Sequence, residues 1–162
     1  MAFEQDLLEL LPRLRRFARS LTRNIDDADD LCQMAIERAL NKRDQWQVGT
    51  RLDSWMYRIT RNIWIDTVRA DGRREHVAND DDAMENVVGD DHRRMEARME
   101  LTDVDRAMDR LPMEQREAVS LVLVEGFAYK EAAELLDIPM GTLTSRLVRG
   151  REALQRELGE AA

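Results

Sequence analysis

YKEAAELLDIPMGTLTSRLVRGREALQREL, residues 129–158, decides the fold: it encodes two helices joined by a tight turn, the second with leucines on one side and arginines on another. Ala132, Ala133, Leu135 and Leu136 give the first helix an apolar face. Pro139 stops that helix, because proline lacks an amide proton and clashes with the preceding turn. Gly141 suits a backbone position that side chains resist, and the Thr142 hydroxyl is placed to cap the next helix by accepting from an orphan amide. From there Leu143, Leu147, Gly150, Leu154 and Leu158 recur every three or four residues and share an inward face. Ser145, Arg149 and Arg156 fall on another side, with Thr144, Val148 and Arg151 beside them. A helix–turn–helix of this form offers its second helix to the DNA major groove, where arginine reads guanine or grips phosphate. An ordinary helical hairpin with a solvated charged face has the same local pattern, so the rest of the chain must decide between them.

The 162 residues suffice for one ordinary domain or two small ones. Charged residues make up 36%, aromatics are few, and only three prolines and seven glycines occur, which favours an all-α chain. Cys32 is the single cysteine, so no disulfide or cysteine–histidine metal site can be assembled, and a reduced, cytoplasmic setting fits. No apolar run approaches the roughly 20 residues that span a bilayer, and no signal-peptide pattern opens the chain, so no membrane insertion is expected. The net charge of −8 opposes simple DNA binding. Its distribution is uneven: residues 1–70 hold 12 basic and 11 acidic side chains, residues 71–100 hold 5 and 10, and residues 101–162 hold 8 and 12. Both ends can present local basic faces, while a chain this acidic calls for a larger partner to supply affinity.

Taken in order, Leu7, Leu8, Leu10 and Leu11 begin an apolar run that Pro12 interrupts or restarts, and Leu14, Phe17, Ala18 and Leu21 continue it. A second helix is expected from Asp26 or Asp27, either able to cap free amides. Ala28, Leu31, Cys32, Ala35 and Ala39 form its buried stripe, leaving Asp29, Asp30, Gln33 and Glu37 outward. Asn41 to Arg51 reads as a loop, in which Trp46 serves packing or contact. A third helix runs from Asp53, its expected cap, to Ala70. Leu52, Met56, Ile59 and Ile63 face inward; Arg58, Arg61, Asn62, Ile65 and Arg69 share another side, flanked by Tyr57 and Trp64. Cations interleaved with aromatics suit single-stranded nucleic acid, the cations tracking phosphates and the rings stacking on bases; core packing is the competing role for the tryptophans.

Between Asp71 and Arg94 the apolar period is lost, and the acidic clusters at 80–82 and 90–91 read as a flexible linker that also repels phosphate. Leu101, Val104, Ala107, Met108 and Leu111 mark a further helix. Met113 to Val124 forms the next, with Ala118, Val119, Val122 and Leu123 inward and Gly126 past its end. The helix–turn–helix follows. No catalytic constellation emerges: His76 and His92 lie in the acidic stretch without metal-binding spacing, and no glycine-rich phosphate loop exists. A non-enzyme without cofactor is expected.

DADDLCQMAIERAL from Asp27, LDSWMYRITRNIWIDTVRADGRR from Leu52 and LPMEQREAVSLVLVEGFAYKEAAELLDIPMGTLTSRLVRGREAL from Leu111 together resemble the extracytoplasmic-function sigma factors of bacteria, in order and spacing, over nearly the whole chain outside the linker. The resemblance implies a stress-response type of transcription factor that joins core RNA polymerase through its β′ clamp helices and β flap. It divides the chain into sigma domain 2 at 1–74, an acidic linker at 75–95 and sigma domain 4 at 96–162. It implies polymerase contacts at Asp29, Asp30, Leu31 and Gln33, and opening of the −10 element by Arg58, Arg61, Asn62, Trp64 and Arg69. Reading of the −35 element falls to Thr144, Ser145, Val148 and Arg149, with Arg146 and Arg151 positioning the backbone. Regulation by an anti-sigma factor is implied; a sigma-like mimic that occupies an anti-sigma factor without using promoters is the alternative. Three positions depart from the family pattern: Thr144 stands where lysine or arginine is frequent, Ala128 where serine precedes the tyrosine, and Asp137 where glycine is frequent at the turn.

Overall fold

The computed structural model describes residues 2–75 and 103–161, and these are helical with short connections and no strand. The elements are α1 Ala2–Thr22, α2 Ile25–Asn41, a 3-10 turn Arg43–Gln45, α3 Leu52–Glu75, α4 Asp103–Asp109, α5 Met113–Val119, a π turn Ser120–Val124, α6 Tyr129–Leu136 and α7 Met140–Ala161. The expected linker at 75–95, with His76 and His92, lies outside the described residues apart from Glu75, which ends α3.

Helix α1 runs through Pro12 without interruption. Pro12 is exposed, so the carbonyl it leaves without a partner, that of Leu8, sits on the solvent side where water can satisfy it. Leu7, Leu10, Leu14, Phe17, Ala18 and Leu21 bury the opposite stripe against α2 and α3. A sharp corner follows, with Arg23 in the left-handed region at φ 56°. Asn24, not an aspartate, caps α2: its side-chain oxygen accepts from the Asp27 amide at 3.0 Å. Asp26 and Asp27 sit in the first turn, where they meet the positive end of the helix dipole.

Helix α3 is longer than its apolar pattern, extending past Ala70 and through Gly72 to Glu75. Met56 and Ile63 face inward as expected, but Tyr57 and Thr60 join them, while Leu52 and Ile59 are half-buried. Tyr57 therefore does not flank an outer surface. Its ring stacks on Phe17 at 4.7 Å between centroids and meets Phe127 at 5.1 Å. Asp53 lies inside the first turn, accepting from the Ser54 amide and the Arg51 guanidinium. Burial alone would push its carboxyl up, but those hydrogen bonds and the charges of Arg51 and Arg13 hold it below the ordinary value.

The stretch after Met113 departs most from simple periodicity. The Glu125 amide bonds to the Ser120 carbonyl at 2.8 Å, five residues back, so the helix widens into a π turn. Leu121 is buried where Leu123 was expected, Leu123 is half exposed, and Glu125 turns inward just before Gly126, which takes φ +78°.

In the helix–turn–helix the left-handed residue is Asp137, at φ 55° and ψ 50°, with the Ile138 amide closing back on the Ala133 carbonyl at 3.0 Å. Gly141 and Thr142 do not make the turn or the cap, because α7 already begins at Met140 and the Leu143 amide bonds to the Pro139 carbonyl. Ala128 precedes α6 without a side-chain cap. Leu143, Leu147, Gly150 and Leu154 are buried and Leu158 half-buried, the inward stripe expected of α7.

The helices on either side of residues 76–102 pack on one another. One apolar cluster joins Phe17, Met56 and Tyr57 to Ala118, Leu121, Phe127 and Leu136; a second holds Met108, Leu111, Val119, Leu147 and Leu154 together. Gly150 is where α7 crosses α5 most closely: a β-carbon there would stand 2.7 Å from Val119 Cγ2. Gly150→Ala is expected to destabilise the fold by ~1–3 kcal/mol through overpacking, read as a lower urea midpoint with an unchanged slope.

Candidate functional site

Three surfaces carry the residues singled out from the sequence, and each is set by the buried stripe opposite it. On α2, Ala28, Leu31, Cys32, Ala35 and Ala39 are buried, which turns Asp29, Asp30 and Gln33 to solvent. Leu31 does not belong to that surface; it is 3% exposed and packs in the core, because it lies on the buried stripe of its own helix. Burial also pushes the Cys32 thiol up to about 11, so it is a packing group and a poor nucleophile.

On α3, Arg58, Asn62 and Arg69 are exposed along one side. Trp64 is half-buried and packs against the core, with its indole N–H buried and without an acceptor. The other two tryptophans also pack: Trp46 lies 5.4 Å from Phe3 and Trp55 6.3 Å from it. Arg61 is set apart from its neighbours. Its guanidinium turns toward α5, where Nε and Nη2 donate to Glu117 at 3.0 and 3.2 Å.

On α7, Thr144, Ser145, Val148, Arg149 and Arg151 are exposed and Arg146 is half-buried. The Thr144 hydroxyl donates to the Met140 carbonyl at 2.9 Å, a back-bond that fixes its rotamer on the outward face. The structure thus gathers Thr144, Ser145, Val148, Arg149 and Arg151 on the accessible side of α7, away from the buried stripe Leu143, Leu147, Gly150 and Leu154.

Between α1, α3 and the π turn lies a set of polar contacts that periodicity did not reveal. Glu125 accepts from Arg16 at 2.7 and 2.8 Å and from the Tyr57 hydroxyl at 2.6 Å. The hydrogen bond to Glu125 raises the Arg16 pKa, and burial, then the separate hydrogen bond of its own hydroxyl to Glu125, raises Tyr57 well above the ordinary phenol. Arg116 donates to the carbonyls of Ser20 at 2.5 Å and Leu21 at 3.2 Å, satisfying the C-terminal end of α1; burial, then Arg23, lowers its pKa. Arg23 in turn bonds Asp109 at 2.5 Å, and Arg51 bonds Glu131. Glu125 sits among apolar residues in the sequence, after Leu123 and Val124 and before Phe127, which is the one signal that could have marked it; Glu117, preceded by Glu114, Gln115 and Arg116, carries no such signal.

Residues 7–74 match sigma-70 region 2, and residues 101–154 match sigma-70 region 4. The ECF RNA polymerase sigma factor EcfG of Rhodopseudomonas palustris (strain TIE-1) is 37% identical over 153 residues, covering 94% of this chain and 83% of its own. The chain belongs to the extracytoplasmic-function sigma factors. SigM of Mycobacterium tuberculosis, another member, is 32% identical over 158 residues, covering 98% of this chain and 78% of its own. Among solved structures, the sigma factor RpoE from Bartonella quintana, in complex with the anti-sigma factor NepR, superposes with a TM-score of 0.80 at 31% identity, over 98% of this chain and 97% of that one. In this sigma factor α1 to α3 fall mainly in the region 2 match, and the helix–turn–helix of α6 and α7 falls mainly in the region 4 match. No described helix is long and apolar enough to cross a membrane.

Two outcomes follow from the site's local chemistry. Asp137→Gly should stabilise the protein by about 0.5–1 kcal/mol, because glycine carries no β-carbon penalty in the left-handed turn; thermal melting reads the gain. Cys32 in the native chain should react with iodoacetamide at pH 8 roughly 100-fold more slowly than in urea, followed by mass spectrometry.

Proposed function

We propose that this sigma factor joins core RNA polymerase, directs it to a specific set of promoters, and is restrained by an anti-sigma factor. The observation that carries the DNA reading is the exposed strip Thr144, Ser145, Val148 and Arg149 on α7, the second helix of a helix–turn–helix. Arg149 is the base-edge reader of that strip, with Arg146 and Arg151 on the phosphates. The −10 element is assigned to α3, where Arg58, Asn62 and Arg69 track the non-template strand, Arg61 joins them, and Trp64 supports the helix from its inner side. Extruding a base costs a few kcal/mol, offset by stacking, phosphate contacts and the polymerase itself.

Polymerase docking is assigned to the acidic face of α2, Asp29, Asp30 and Gln33, with Leu31 holding that face in place from the core. The β′ clamp helices are the expected partner there, and the β flap the partner of region 4. Anti-sigma restraint is supported by the likeness to RpoE bound to NepR. Domain boundaries at 1–74 and 96–162 are proposed on the same footing. The competing function, a mimic that occupies an anti-sigma factor without using promoters, draws on the acidic balance and on Thr144.

Transcription in vitro with core polymerase and a genomic promoter pool separates the two: specific starts are expected, and no start combined with tight anti-sigma binding would leave the mimic. Arg149→Ala is expected to weaken −35 recognition by ~1–3 kcal/mol in duplex binding by the holoenzyme. Arg61→Ala should leave −35 duplex binding unchanged and slow promoter opening, measured by permanganate footprinting over time.

A further inference from the structure

Two rows of exposed side chains run along α7. Met140, Thr144 and Val148 follow one another at intervals of four residues, so they stand in line on one face of the helix. Ser145 and Arg149 make a second row beside it. The core contacts of α7 come from another stripe, Leu143, Leu147, Gly150 and Leu154, which leaves Met140 50% and Val148 45% exposed. The fold therefore keeps two apolar side chains in water on the helix assigned to the −35 element.

Between them, the hydroxyl proton of Thr144 is already engaged. Its Oγ1 donates to the Met140 carbonyl at 2.9 Å, one turn back along the helix. Hydroxyl and methyl occupy different staggered positions on the same β-carbon, so with the oxygen turned back the outward branch of this exposed residue is the methyl. Lysine or arginine, frequent at this position in the family, would present a charge there. In this chain the position presents a CH3 group in line with Met140 and Val148.

Of the four bases, thymine alone shows an apolar group in the major groove, its C5-methyl. We infer that Met140, Thr144 and Val148 form an apolar ridge that reads thymine methyl groups in the −35 element, beside the base contact made by Arg149. Thr144 then determines specificity through its methyl and not through its hydroxyl. The inference rests on the assignment of α7 to the −35 element made above. From Met140 to Val148 the ridge covers ~12 Å of helix axis, enough to pass more than one base step. 5-Methylcytosine carries the same methyl on the same edge, so it satisfies the ridge where cytosine does not. Removing one buried methyl changes affinity about fourfold, taking the transfer value of a buried CH2 group.

The test uses holoenzyme made from the full chain and core polymerase. Duplexes with the −35 elements it selects from a genomic promoter pool are rebuilt with each thymine replaced in turn by deoxyuridine, which lacks only the methyl. Competition in a gel-shift assay reads the affinity. The native chain should bind about fourfold more weakly when a thymine facing the ridge loses its methyl. At that thymine Thr144→Val, which keeps the methyl and removes the hydroxyl, should preserve the discrimination. Thr144→Ser, which keeps the hydroxyl and its back-bond, should abolish it, and Val148→Ala should reduce it there or at the adjacent base pair. A duplex with 5-methylcytosine at that position should bind more tightly than one with cytosine. Equal binding of every deoxyuridine duplex, or a selected −35 element with no thymine on either strand, would overturn the ridge and leave the −35 assignment standing. Discrimination kept by Thr144→Ser and lost in Thr144→Val would overturn it too, because the hydroxyl would then be the reader. A selected pool with no common sequence at −35 would remove the assignment of α7 itself, and the ridge with it.

Discussion

Glu125 is a carboxylate with no exposed side-chain surface, held among apolar groups at the meeting point of α1, α3 and the π turn. Such a charge is tolerable only when its oxygens are occupied, since the desolvation of an isolated carboxylate costs far more than one hydrogen bond returns. Arg16 covers both oxygens and the Tyr57 hydroxyl adds a third bond. The position of Tyr57 then fixes its neighbours: the ring stacks on Phe17 from one side and meets Phe127 from the other. A polar anchor thus sets the register in which two sets of helices share one apolar cluster, a specificity that area burial alone does not supply.

The anchor stands directly after the π turn Ser120–Val124. Glu125 lies four residues beyond Leu121 and seven beyond Ala118, both buried, so helical spacing alone puts it on their inward face, while Leu123 between them is half exposed. π turns recur at functional positions, and this one ends beside a charge at an interface between two parts of the chain.

The surfaces assigned to DNA were unequally legible. The α7 strip could be read from spacing, because the stripe Leu143, Leu147, Gly150 and Leu154 leaves only one side to face outward. The α3 side was harder: spacing placed Arg58, Arg61, Asn62 and Arg69 together, but did not say that Arg61 would meet Glu117 or that Trp64 and Tyr57 would be drawn inward. Leu31 shows the same limit from the other direction. Its neighbours on α2 are exposed and it is buried, as its own period required, so a family role carried over by motif position does not by itself establish a surface contact.

The sequence by itself determined the helical class, the inward stripes of α1, α2 and α7, and the helix–turn–helix, because these depend on spacing and on local chemistry within a few turns. It also carried the family resemblance, through three ordered blocks. Tertiary structure decided the caps at Asn24 and Asp137, the π turn and the fate of the buried polar groups. Glu117, Glu125, Tyr57 and Arg61 acquire their roles from partners 56 to 109 residues away, and no local rule specifies a contact across that distance. Burial of a charge is settled by whether a partner arrives, and only the folded chain brings it.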